Sequence, residues 1–259
     1  MCELFAMSAR RPTSVAHSLA LLRPRGGATG PHSDGWGVAL FQGSAAGVFK
    51  DSGPAASSAC FAALEQRDLV SDQVVAHLRR ANPPEFVRSW ANTHPFEREL
   101  AGRSWVFAHN GRLPGIHADP RFRSERFRPL GDTDSELAFC FLLDAIHEAV
   151  SGWGPVDPST LVAALRRPVA SLAGLGEFNF VLANGTHLVV HAHTRLHAMR
   201  RVCRQDGCDQ IVTLIATQPL TDEAWQPLAQ SSLRVFAAGE ELLSTRISPE
   251  APTTLSATA

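Results

Sequence analysis

Met1-Cys2-Glu3-Leu4-Phe5-Ala6-Met7 opens the chain, and its second residue governs how the rest is read. Removal of an initiator methionine needs a small second residue, and cysteine is small enough. Processing would leave a thiol and a free α-amine on one residue. An α-amine titrates near ~8 and a free thiol near ~8.5, so the two are matched for proton exchange. An N-terminal amine acting as base for its own residue's nucleophile is a known way to activate a weak one. The other reading is a small, inert thiol buried in a first strand, Cys2–Ser8.

Outward from that strand, Ser14–Leu22 reads as a helix and Arg25–Pro31 as a glycine-rich loop. Trp36–Phe41 and Gly47–Lys50 form a hairpin across Gln42-Gly43, and Ser57–Gln66 is helical in composition. Val74–Arg79 and Trp105–His109 read as buried strands joined by a long, proline-containing loop, and loops of that length are more often functional than idle. Leu137, Phe139, Cys140, Leu143, Ile146 and Val150 recur at helical spacing after Thr133, which with Glu136 has the form of a capping box. A helix over Pro158–Leu172 precedes strands at Glu177–Leu182, His187–His191, Leu196–Val202, Ile211–Ala216 and Leu233–Ala237. Blocks of strands and blocks of helices, without βαβ alternation, predict an α+β layered fold with antiparallel sheets. One domain over residues 1–247 is expected, because no linker-like shift in composition precedes the small, polar, proline-punctuated segment 248–259, which reads as a mobile tail.

Composition closes several doors. Net charge is −1 over 259 residues, which offers no single-signed field for nucleic acid or a membrane surface. The longest apolar run, Leu137–Leu143, is far too short to span a bilayer, and the first residues do not have the form of a signal peptide. A cytoplasmic protein is the expectation. Five cysteines at sparse spacing are most simply free thiols in a reducing compartment. Tyrosine is absent, Lys50 is the sole lysine, and the chain contains no phosphate-binding G-x-x-x-x-G-K-[ST] loop.

Four segments join Cys2: Ala76-His77-Leu78-Arg79, Asn92-Thr93-His94-Pro95-Phe96, Phe107-Ala108-His109-Asn110-Gly111, and Thr133-Asp134-Ser135-Glu136. Their order, together with Asp34-Gly35-Trp36-Gly37 and Ile215–Thr221, resembles the class II glutamine amidotransferases, a branch of the N-terminal-nucleophile hydrolases. The closest likeness is to stand-alone members that consist of the glutaminase domain, and it runs from Cys2 to about residue 240. The resemblance implies a four-layer αββα sandwich of two antiparallel sheets between helical layers. It implies that Cys2 attacks the amide carbon of glutamine, with its own α-amine as base, through a glutamyl-thioester. It assigns Asn110 and Gly111 to the oxyanion hole, Arg79 to the substrate α-carboxylate and Asp134 to the substrate α-ammonium. A guanidinium fork suits a carboxylate, and a tetrahedral oxyanion needs fixed donors.

Each of these residues has a plainer reading as well. Arg79 beside Arg80 is compatible with surface charge, Asn110-Gly111 with a hairpin turn, and Asp134 with a carboxylate answering a helix dipole. Asp34 and Trp36 are expected as pocket walls. His94 is expected as a structural pocket residue and not as the base for the cysteine. Asn82 stands where many members have a threonine, and Pro31-His32-Ser33-Asp34 replaces an arginine–glycine pair common in synthase-linked members. No synthase domain is expected after residue 247, so any ammonia would pass to a separate partner protein or diffuse away.

Two competing classes stay open. A γ-glutamyl conjugate on a larger amine is an alternative substrate. A non-catalytic or metal-binding module is an alternative role, because His191, His193, His197, Cys203 and Cys208 lie close in sequence. That group contains no C-x-x-C, and structural zinc usually shows tighter cysteine spacing. The reading therefore includes no metal and no cofactor.

Overall fold

A strand whose two faces are both apolar needs cover on both sides. β1 (Glu3–Ser14) shows how this chain meets that demand. Phe5, Met7 and Ala9 point one way and Leu4 and Ala6 the other, as a period of two requires. The computed structural model describes residues 2–67, 69–81, 88–150, 152, 154, 156–205 and 208–250.

After β1 come α1 (Ala16–Leu22), β2 (Trp36–Gln42), β3 (Ala45–Asp51), α2 (Ala59–Gln66) and β4 (Val70–Leu78). Next are β5 (Phe96–Leu100), β6 (Arg103–Arg112), α3 (Asp134–Ala149) and α4 (Pro158–Leu175). The strands β7 (Glu177–Ala183), β8 (Leu188–Ala192), β9 (His197–Gln205) and β10 (Cys208–Ala216) follow. The last are β11 (Gln226–Pro227), β12 (Ser232–Ala237) and β13 (Glu240–Arg246). They form a seven-stranded sheet, β11-β9-β10-β1-β4-β2-β3, and a six-stranded sheet, β13-β12-β8-β7-β6-β5. Neighbouring strands run antiparallel throughout both sheets.

Three apolar layers hold the sandwich together. The outer face of the first sheet, with Phe5, Met7, Val38 and Val74, packs on Leu19 and Leu22 of α1 and on Phe61 and Leu64 of α2. Between the sheets, Leu4, Ala6, Ala39 and Val75 meet Val106, Ala108, Val181 and Val190. The outer face of the second sheet, with Phe107, Phe178, Phe180 and Leu182, packs on Phe139 and Leu143 of α3 and on Leu161 and Leu165 of α4. The expected αββα order is therefore present, and each layer follows from alternation within the strands.

Differences from the sequence reading are local. β1 continues past Ser8 to Ser14 across a register shift. β5, β11 and β13 were not anticipated. The capping box is half formed: Thr133 Oγ1 accepts from the Glu136 N–H at 3.2 Å, but the Glu136 carboxylate does not turn back to Thr133. It instead accepts from the N–H groups of Leu130 and Gly131 and pairs with Arg98 at 2.5 Å. A carboxylate only 1% exposed is held more firmly by a half-buried guanidinium than by one backbone N–H. Of the predicted tail, Glu250 is tied to α4: its N–H donates to Ala170 O and its carboxylate accepts from Ser171. Residues 251–259 lie outside the described residues, as does Asn82.

Candidate active site

Cys2 stands immediately before β1, the middle strand of the seven-stranded sheet. Its sulfur accepts from the Arg80 N–H at 3.3 Å. The next residues of β1 lie between β4 and β10, so the position of the thiol is set by two neighbouring strands. Just beyond β10, Thr217 locks this start in place. Its N–H donates to Leu4 O at 3.0 Å, and its hydroxyl oxygen accepts from the Leu4 N–H at 3.0 Å.

A pocket of about 290 Å³ opens beside the thiol. Cys2, Arg79, Gly111, Asp134 and His94 all line it, although they come from separate parts of the chain. Arg79 follows the end of β4 and is 5% exposed. Its guanidinium donates to Asp34 O at 3.2 Å and has no carboxylate partner among the described residues. Burial lowers its pKa, partly offset by the nearby Cys2, Asp34 and Asp132, which marks a cation short of solvent. Asp134 begins α3, where its carboxylate accepts from the Leu113 N–H at 2.8 Å and from the Ser135 hydroxyl at 3.1 Å. The dipole reading of Asp134 thus holds alongside its place in the pocket.

Asn110 and Gly111 do not make a hairpin turn; they lie within β6, paired with β7. Asn110 is fully buried. Its Nδ2 donates to Cys2 O at 2.7 Å and to Thr217 Oγ1 at 3.1 Å, while its Oδ1 is without a partner among the described residues. Gly111 has φ of 155°, and a Cβ there would stand 1.8 Å from Glu177 O. Only glycine lets the two backbones approach this closely. Gly111→Ala is expected to destabilise the fold by about 1–3 kcal/mol, read as a lower urea midpoint with an unchanged slope.

Two expected wall residues are elsewhere. Trp36 is fully buried against Phe61 in the layer beneath α1 and α2, because its position on β2 faces that side of the sheet. Asp34 lies behind Arg79. Its carboxylate accepts from the Ala81 N–H at 2.8 Å and from Arg88 at 2.6 Å, so it braces the pocket segment and does not line it.

Three buried histidines gather at the pocket: His94 and His109 line it, and His77 packs against His94. His94 stacks on His77 at 4.3 Å and on Phe96 at 4.4 Å, with neither ring nitrogen hydrogen-bonded among the described residues. His109 Nδ1 lies 2.8 Å from Ser135 Oγ, and its Nε2 lies 3.1 Å from Glu177 O. Burial pushes the pKa of His77 down to about 3 and lowers those of His94 and His109. Imidazoles so reluctant to protonate are poor acceptors for a thiol proton. Burial also raises the pKa of the Cys2 thiol, partly offset by the Arg80 N–H and the Arg79 cation.

Among the described side chains the candidate metal group does not assemble; that of Cys208 lies outside them. His191 is fully buried on β8 with Nδ1 close to Phe178 O, whereas Cys203 is exposed on β9. Among the described residues no group of three His, Cys, Asp or Glu side chains is placed to hold a metal ion.

The profile of the class II glutamine amidotransferases matches residues 1–207. The chain belongs to this family. It is 38% identical to the Escherichia coli (strain K12) protein named "Putative glutamine amidotransferase YafJ", over 94% of this chain and 100% of that protein. A Haemophilus influenzae protein named "Putative glutamine amidotransferase" is 33% identical, over 93% of this chain and 86% of that protein. Among solved structures, one described as a predicted glutamine amidotransferase from Pseudomonas aeruginosa PA01 superposes with a TM-score of 0.70 at 34% identity. That alignment covers 93% of this chain and all of the other. The glutamine phosphoribosylpyrophosphate amidotransferase of B. subtilis superposes with a TM-score of 0.66 at 16% identity, which shows a shared fold. It is matched over 96% of this chain and 50% of its own length. For this member of the class II amidotransferases, no helix among the described residues is long and apolar enough to cross a membrane.

Sequence reasoning passed over Thr217, Ser135 and Glu177. Thr217 falls in the family-like stretch Ile215–Thr221, but nothing in that stretch announces which hydroxyl reaches Asn110. Ser135 adjoins Asp134 and was read only as part of a helix start. Glu177 was read as the beginning of a strand, and its pocket-lining position depends on the β6–β7 register.

Proposed function

We propose that this protein hydrolyses the γ-glutamyl amide of glutamine through a thioester on Cys2, releasing glutamate and ammonia. The observation that carries this reading is the convergence of Cys2, Arg79 and Asp134 on one pocket, with Arg79 in no ion pair among the described residues. A free α-amino acid presents the complementary pair: a carboxylate for the Arg79 fork and an ammonium for the Asp134 carboxylate. Held by those two groups, the side-chain amide extends toward the sulfur. Removal of Met1 frees the α-amine of Cys2, which takes the thiol proton as the C–S bond forms. The same amine then delivers a proton to the departing nitrogen. Water cleaves the thioester and regenerates the thiol.

The developing oxyanion requires donors. Gly111 supplies a backbone N–H in this proposal and Asn110 its side-chain amide. In the resting site that amide is committed to Cys2 O and Thr217 Oγ1. An oxyanion is a stronger acceptor than either, so one of the two bonds is exchanged for it as charge develops.

Incubating the purified protein with glutamine and measuring glutamate, alongside intact mass, tests the reading. Active protein is expected to begin at Cys2, since a retained Met1 turns the base into an amide. Full turnover with Met1 quantitatively retained rejects the mechanism. Arg79→Ala and Asp134→Ala are expected to raise KM at least about tenfold each, with a smaller loss in kcat. A KM unchanged in both variants would remove them from substrate binding.

A further inference from the structure

The pocket wall that includes Glu177, His109, Ser135 and Asp134 holds three polar contacts in series. His109 Nε2 is 3.1 Å from Glu177 O, its Nδ1 is 2.8 Å from Ser135 Oγ, and the Ser135 hydroxyl reaches Asp134 Oδ1 at 3.1 Å. His109 is 1% and Ser135 6% exposed, so their partners must come largely from within the protein. The series joins the β6–β7 pair to the first turn of α3.

This series is one proton short. Carbonyl and carboxylate oxygens only accept, a hydroxyl has one proton, and a neutral imidazole has one N–H. Burial lowers the pKa of His109 against the opposite pull of Asp134 and Glu177, so the neutral ring is the form present near neutral pH. Three contacts then share two protons. With Ser135 donating to Asp134, Nδ1 carries the ring proton, and Nε2 presents a lone pair to Glu177 O. With the ring proton on Nε2, Ser135 turns to Nδ1, and Asp134 Oδ1 loses its donor. Either arrangement leaves one contact unmade, which is unfavourable for buried groups. The Leu113 N–H already serves the other carboxylate oxygen, Oδ2, at 2.8 Å. An ammonium placed on Oδ1 brings the missing donor.

We propose that Ser135 and His109 are positioning residues that tie Asp134 to the charge of its ligand: the Ser135 hydroxyl donates to Asp134 in the empty site and turns to His109 Nδ1 when an ammonium takes its place. The inference rests on the reading of Asp134 as the partner of a substrate α-ammonium. His109 is the second acceptor that allows Ser135 to leave. Without it, the hydroxyl keeps Asp134 as its one acceptor in the series and competes with the ligand.

The test measures dissociation constants at neutral pH by calorimetry in the full-length Cys2→Ala protein, freed of Met1, which binds without turnover. The ligands are glutamine and glutaramate, which is glutamine without its α-ammonium, and the readout is the ratio of the two constants. Effects on the shared carboxylate and amide cancel in that ratio. His109→Phe keeps a ring against Phe178, now 5.1 Å away, but removes both nitrogens. It is expected to lower the preference for glutamine about three- to tenfold, the worth of one hydrogen bond. In a Ser135→Ala background the same substitution is expected to change the preference by less than about twofold, because no hydroxyl remains to compete. A loss equal in both backgrounds, or absent when Ser135 is present, overturns the inference. Should His109→Phe not fold, nitrogen NMR of the His109 ring in the protein that retains it decides. Glutamine is expected to place the ring proton on Nε2 and glutaramate is not, and a tautomer that glutamine leaves unchanged overturns the inference. A glutamine preference that Asp134→Ala removes but that is independent of His109 and Ser135 leaves the α-ammonium reading standing. Equal affinity for the two ligands in the Cys2→Ala protein removes both.

Discussion

Cys2→Ala is expected to lower kcat by on the order of 10⁴–10⁶-fold, the range set by loss of a covalent nucleophile in enzymes where it has been removed. The substitution should leave the fold intact, because Cys2 precedes β1 and, among the described residues, its thiol hydrogen-bonds the Arg80 backbone alone. Two other cysteines supply the controls. Cys60 is exposed, so Cys60→Ala is expected to have no effect on turnover. Cys140 is fully buried on the inner face of α3, its thiol pushed up to about 12 by burial, and Cys140→Ala is expected to cost about 1 kcal/mol of stability without touching chemistry. A glutamine-like electrophile should add once, to Cys2. Labelling at another cysteine, or turnover surviving in Cys2→Ala, sinks the assignment of the nucleophile.

The second large effect belongs to Asn110. Asn110→Ala removes the donor that now holds Cys2 O at 2.7 Å and Thr217 Oγ1 at 3.1 Å. If that amide also answers the oxyanion, kcat should fall by on the order of 10²–10³-fold while KM changes little. A change confined to KM would falsify the oxyanion role and leave Asn110 as a clamp on the N-terminal residue. Thermal denaturation of the same variant separates the two contributions. Loss of a buried bond lowers Tm whether or not the amide meets the oxyanion, whereas the kcat deficit arises only if it does.

Which parts of this architecture are legible in the sequence depends on where apolar side chains must go. Central strands such as β1, β4 and β6 are covered on both faces, so their apolar runs stand out. The three strands that escaped notice, β5, β11 and β13, are all at sheet edges. β5 reads Phe-Glu-Arg-Glu-Leu and β13 opens with two glutamates, compositions that protect an edge from pairing and equally disguise it as loop.

The site divides along the same line. Residue type and order pointed to Cys2, Arg79, Asn110, Gly111 and Asp134, and the fold brings Cys2, Arg79, Gly111 and Asp134 to one cavity, with Asn110 bonded to Cys2 O beside it. Trp36 was misplaced because a one-residue step along a strand reverses the face, and local sequence does not say which face meets the pocket. Asp34 was misjudged by a single layer: its carboxylate bonds the segment carrying Arg79 and does not reach the cavity. Thr217 depends on a contact across more than a hundred residues of sequence, which no local pattern encodes.

Chain ends usually fray first, being held by few neighbours. Here the end that carries the thiol leads into the middle strand of seven, with β10 on one side, β4 on the other, and Thr217 fastening Leu4 in both directions. Detaching Leu4 requires opening both ladders, which belongs to the cooperative unfolding of the whole sheet. The proposed nucleophile therefore has no cheap local route to disorder, and loss of the proposed chemistry on heating and loss of the fold are expected to coincide in one transition.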